Sequence, residues 1–94
     1  MSCTVVVKLK VENYEAWKSH YDAGEPVRRE FHVRAVGVLR DASDPNTVFV
    51  LTRFDSVDDA KKMLAAPKWQ ETAKKAGASS METWFTNVAQ DKTY

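Results

Sequence analysis

Hydrophobic and polar residues alternate from Thr4 to Val11, with Val5, Val7, Leu9 and Val11 on one face and Thr4, Val6, Lys8 and Lys10 on the other. A period of two predicts a strand. The period then lengthens. After Asn13, a good N-cap, Tyr14, Trp17, Tyr21 and Gly24 recur at helical spacing, while Glu15, Lys18, Ser19 and Asp22 fall mostly on the opposite side. This predicts an amphipathic helix with an aromatic stripe, ended or bent at Gly24. Pro26 suits the first position of a short second helical turn running from Val27 to Phe31.

Valine-rich runs at Val33 to Arg40 and Thr47 to Phe54 predict two further strands. The turn formers Asp41-Ala42-Ser43-Asp44-Pro45-Asn46 between them predict a hairpin. Ser56, with Asp59 three residues on, opens another helix as an approximate capping box, and Val57, Ala60 and Leu64 form its apolar stripe. Pro67 interrupts that helix and starts a separate one over Pro67 to Ala76, with Trp69, Ala73 and Ala76 on one face and Gly77 as its stop. Met81 to Ala89 is the last strand.

The order is strand, helix, strand, strand, helix, strand. Right-handed packing of such an order gives an α+β fold of the ferredoxin-like βαββαβ kind: a four-stranded antiparallel sheet with the helices on one face. The other face is left bare, yet the strands are apolar on both sides. Val48, Val50 and Phe54 alternate with Phe49 and Leu51, and Trp84 and Val88 with Met81 and Phe85. Whichever set meets the helices, the other needs cover. A second copy of the same sheet supplies it, so a homodimer through the open sheet face is expected.

Ninety-four residues make one domain, residues 1–94, small enough that association is an ordinary way to complete its core. The chain is 44% hydrophobic and 29% charged, the composition of a soluble globular protein, and no stretch is long enough to span a bilayer. With 14 basic and 13 acidic residues scattered along it, no general pull toward phosphate backbones exists, and nucleic acid is not an expected partner. The inner strands, Thr4-Val5-Val6-Val7 and Val48-Phe49-Val50-Leu51, also lack the glycine-bearing aromatic motif of RNA-recognition sheets. Cys3 is the only cysteine and the N-terminus has no apolar signal region, so a reducing cytoplasm is the expected location.

His20 and His32 are the only histidines, and no Cys or His pair stands at metal-ligand spacing, so no metal is expected. A glycine-rich phosphate loop, a G-x-S-x-G elbow and a flavin or nicotinamide fingerprint are all missing, and no cofactor is expected. Trp17, Tyr21, Trp69 and Trp84 give a chain of this size an aromatic inventory that suits either a packed core or the walls of a site for a small planar ligand. His20 stands at the edge of the stripe, beside Tyr21 and three residues after Trp17. Arg53, near the end of the third strand, shares the face of Phe49 and Leu51, where it can hold an anion or a rim carboxylate. Trp17, His20, Tyr21, His32, Arg53 and Trp69 are therefore the candidate pocket residues. No catalytic residue follows from the sequence. A positioned acid, base or anion holder would have to come from His20, His32, Tyr21 or Arg53.

Four local patterns carry a family resemblance: Val11-x-x-Tyr14-x-x-Trp17-Lys18, Arg40-Asp41-x-x-Asp44-Pro45-Asn46, Phe54-Asp55-Ser56-x-x-x-Ala60, and Ala76-Gly77 before the last strand. In order and spacing the chain resembles the antibiotic biosynthesis monooxygenase-like family of dimeric α/β barrels over nearly its whole length. The resemblance implies a ferredoxin-like subunit whose open sheet packs on that of a second subunit, with a ligand cavity between sheet and helices in each. It further implies a small-molecule-binding protein that acts on aromatic or polyketide-like compounds, either as a cofactor-independent monooxygenase or as an isomerase or cyclase. The alternative is a non-enzymatic ligand-binding or accessory protein. Haem-degrading and many oxygenase members of that family carry a histidine on the second helix, shortly before a Ser-Pro-His-like break, and both of those histidines are absent here. Met63 and Ala66-Pro67-Lys68 stand there in this chain, which argues against haem breakdown.

Overall fold

The computed structural model describes residues 2–94. Its elements follow the order β1 (Cys3–Lys10), α1 (Tyr14–Ala23), α2 (Glu25–Glu30), β2 (Ala35–Arg40), β3 (Thr47–Phe54), α3 (Val57–Ala65), α4 (Pro67–Lys75) and β4 (Ser80–Asn87). The strands form one antiparallel sheet in the order β2-β3-β1-β4. Placing β1 and β3 in the middle is what a pair of interlocked right-handed strand–helix–strand units requires. The fold is ferredoxin-like, with the helices on one face.

The expected caps are in place. Asn13 accepts a hydrogen bond from the Ala16 amide at 3.0 Å, and Ser56 accepts one from the Asp59 amide at 3.2 Å. Such caps contribute about 1 kcal/mol each. Pro67 occupies the first turn of α4 and Gly77, at φ 75°, closes it. His32 plays the corresponding part for α2: it adopts φ 60°, and Val33 donates back to the Arg28 carbonyl at 3.0 Å. Histidine is among the residues enriched in that left-handed conformation. This return bond also explains why β2 starts at Ala35 rather than at Val33, since Val33 still belongs to the end of the helix. At the other end of the sheet, β4 runs from Ser80 to Asn87 rather than from Met81 to Ala89, and one further backbone bond joins Val88 to Ser2.

Alternation sets which side chains meet the helices. Cys3, Val5 and Leu9 of β1 and Val48, Val50, Thr52 and Phe54 of β3 are buried beneath them. They pack in two groups. Leu9, Val48 and Val50 join Val11, Trp17 and Tyr21 around α1, while Cys3, Val5 and Phe54 join Ala60 and Met63 beneath α3. Val7 touches both groups, so it marks the seam between them.

The opposite face carries a row formed by register: Trp84 beside Val6, Val6 beside Leu51, and Leu51 beside Gly37. Phe49 and Leu39 extend it by one step. Leu39 and Trp84 are 52% and 46% exposed in the single chain. No helix among the described residues is long and apolar enough to cross a membrane.

Candidate functional site

The two core groups do not close completely against each other. Between them lies a cavity of about 90 Å³ whose floor is Val5, Val7, Leu9, Val50, Thr52 and Phe54. Its walls are Trp17 and Tyr21 from α1, Met63 and Leu64 from α3, and Trp69, Thr72 and Ala73 from α4. It reaches the β4 edge at Met81 and Thr83. One water needs about 10–15 Å³ of such space, so the cavity has room for a group of several atoms.

Trp17 and Tyr21 are one helical turn apart, and their rings stack with centroids 5.1 Å apart. Trp69, at the start of α4, faces the same space from across the seam. Three of the expected pocket residues therefore converge. The other three do not. His20 is exposed on the outer side of α1, and His32 is exposed where it terminates α2. Arg53 points to the open sheet face, where it pairs with Asp91 at 2.7 Å; alternation along β3 separates it from the buried Thr52 and Phe54 of the cavity floor.

A residue not singled out in the sequence takes their place. Arg28 of α2 is only 3% exposed and lines the cavity. Gly24 bends the chain between α1 and α2, which folds Arg28 back beneath Tyr21 so that its guanidinium carbon stands 4.0 Å from the ring centre. Space at Gly24 is tight: a Cβ there would come within 3.1 Å of Arg28 Nη1, and the guanidinium would have to give way to admit it. Arg28 Nη2 donates to the Tyr21 carbonyl at 2.7 Å, and at 3.4 Å to Glu25. Arg28 Nε and Nη1 and the Tyr21 hydroxyl are buried without a partner. Spacing along α1 carries no signal for Arg28, because the chain bends at Gly24 between Tyr21 and that residue.

Burial pushes the Tyr21 hydroxyl above the usual tyrosine range, and the Arg28 cation pulls it part of the way back. A folded-state pKa above the unfolded one stabilises the protein at lower pH. That contribution is lost as pH rises above about 10, where the unfolded phenol ionises, through the higher folded value. Alkaline titration followed at 295 nm should show a late phenolate step that disappears in Tyr21→Phe. A variant with an unchanged high-pH limb would count against this environment.

No group of three or more His, Cys, Asp or Glu side chains among the described residues is placed to hold a metal ion. No family's sequence profile matches the chain, and no curated protein matches it in sequence. Solved structures do match in shape. SnoaB, a cofactor-independent oxygenase from Streptomyces nogalater, superimposes with a TM-score of 0.84 at 16% identity, over 96% of this chain and 95% of its own. A candidate antibiotic biosynthesis monooxygenase from Nitrosomonas europaea gives 0.79 at 15% identity, over 94% and 90%. A dimeric protein of unknown function and ferredoxin-like fold from Bacteroides fragilis gives 0.72 at 16%, over 93% and 96%. The chain has the fold of these proteins. The likeness covers 93–96% of this chain, and it agrees with the fold expected from the strand and helix order.

Proposed function

We propose that this chain is a member of the antibiotic biosynthesis monooxygenase-like family that binds a small planar aromatic or polyketide-like molecule in the seam cavity. There it oxidises or rearranges that molecule without a metal or flavin. The observation that carries this reading is the cavity itself, an apolar space with Trp17, Tyr21 and Trp69 as flat walls and few polar groups. A well-packed core of this size would have no reason to leave it. The overall likeness to a cofactor-independent oxygenase supports the same reading.

The residues present can orient a ring between aromatic walls and keep bulk water from an ionised phenol. For a phenolic substrate, oxygenation to a quinone consumes one O2, leaves one oxygen atom on the ring and releases the other as water, and the substrate supplies the electrons. The working unit is a homodimer joined through the open sheet face, which the apolar row of Val6, Leu51 and Trp84 supports. A reducing cytoplasm suits the single buried thiol of Cys3.

One observation favours a second reading, that of a ligand carrier: no histidine, carboxylate or lysine lines the cavity to serve as a base. Titration of tryptophan fluorescence with 1-naphthol, together with oxygen uptake, separates the two. Saturable quenching with one O2 consumed per 1,4-naphthoquinone formed is the expected result. Quenching without uptake would establish the carrier, and no quenching would remove the cavity as a ligand site.

A further inference from the structure

We propose that the cavity recognises an anion, an aromatic carboxylate in particular, through Arg28. This deepens the reading of the cavity as a site for a planar molecule and rests on it. Arginine remains charged in proteins, and a buried guanidinium normally spends its N–H groups on carboxylates or carbonyls. Arg28 spends only one nitrogen. Nη2 is used by the Tyr21 carbonyl and, at the longer distance of 3.4 Å, by Glu25, a residue about half exposed. The Nε–H and both N–H groups of Nη1 have no acceptor although the side chain is 96% buried.

Unpartnered donors on a buried cation are costly and rare in folded proteins, and where they persist they call for an explanation. Their surroundings offer one. Arg28 lines the aromatic cavity and also a second cleft of about 190 Å³, bounded by Glu25, Arg29, Val33, Arg34 and Val36. It therefore stands where an apolar space meets a basic one. Arg29 and Arg34 are exposed and pair with Glu25 at 3.3 Å and with Asp55 at 2.6 Å, so the buried unpartnered donors at this junction are those of Arg28. The buried Tyr21 hydroxyl, also without a partner, adds a donor on the same side of α1. A ring among Trp17, Tyr21 and Trp69 with a carboxylate against Arg28 uses every one of these features. A neutral ring without an acceptor would leave the Nε–H and Nη1 donors unpartnered.

The test compares isosteric pairs on the intact protein: benzoate against benzamide and 2-naphthoate against 2-naphthamide, by calorimetry and by amide-shift titration at neutral pH. Hydrogen bonds to a charged group predict that each acid binds about tenfold or more tighter than its amide. In Arg28→Gln, checked for folding by its thermal melt, the preference should fall to about twofold or less, and Arg28→Lys should keep part of it. The wild-type comparison decides even where a variant fails to fold. Equal affinity for acid and amide would overturn the anion site while leaving the cavity as a ligand site, and so would a preference that survives in Arg28→Gln. Failure of all four compounds to bind would overturn both.

Discussion

Replacing Trp17 by alanine should cost about 3–5 kcal/mol of stability, the usual range for removing a large aromatic side chain from a core. Trp17 is 4% exposed and lies between two other rings, with Tyr14 at 5.9 Å and Tyr21 at 5.1 Å between centroids. The hole left behind would merge with the cavity already present, so collapse of the neighbours cannot fill it. Trp69 makes a useful contrast. It is half-buried and borders the same cavity, and with fewer packed neighbours to lose its replacement by alanine should cost less, about 1–2 kcal/mol. Urea unfolding at one fixed protein concentration measures both, because stability in an associating protein depends on concentration. A loss under about 1 kcal/mol for Trp17→Ala would mean that the α1 stripe is not the structural support described above.

The sheet was legible because its two central strands keep a period of two along most of their length. Val5, Val7 and Leu9 on β1 and Val48, Val50, Thr52 and Phe54 on β3 are all on the helix side. Helix starts were legible because Asn13, Ser56 and Pro67 each have a specific chemical use at a first turn. Strand ends were less so. Whether Val33 extends a strand or closes a helix depends on a left-handed residue at 32, and a histidine does not announce that conformation as a glycine does.

The site was half legible for a related reason. Trp17 and Tyr21 share a face by helical geometry alone, and Trp69 follows from the break at Pro67. Arg28 depends on the angle between two helices, which spacing along one helix does not contain. A single bend at Gly24 turns a residue from a charge-rich hexapeptide into the most buried cation of the described chain. Arg53 shows the converse. Its place on the face of Phe49 and Leu51 follows from alternation, and that same alternation removes it from a cavity on the other side of the sheet.

A carboxylate placed at the middle of the open face should split the proposed dimer. Leu51 is the position of choice, because β3 is an inner strand and register sets Leu51 between Val6 and Gly37, with Trp84 one strand beyond. The C-terminal segment reaches this face at one corner, where Asp91 pairs with Arg53. Two copies meeting face to face about a twofold axis would bring the Leu51 side chains into the dry middle of the contact. Leu51→Asp would then bury two unpaired carboxylates at a cost of several kcal/mol each, enough to weaken association by about a thousandfold or more. The folded protomer should tolerate the change, since the side chain lies on the outer face of the sheet and carries no part of either core group. Light scattering after gel filtration should give about twice the 10.7 kDa chain mass for the native sequence and the single-chain mass for Leu51→Asp, with an unchanged circular dichroism spectrum. Lys62→Asp, on the exposed side of α3, should remain at the dimer mass and controls for the effect of charge alone. A native protein that runs as a monomer at micromolar concentration would show that the apolar row of Leu39, Leu51 and Trp84 is not covered by a second copy, and a Leu51→Asp variant at the dimer mass would place the contact elsewhere on the molecule.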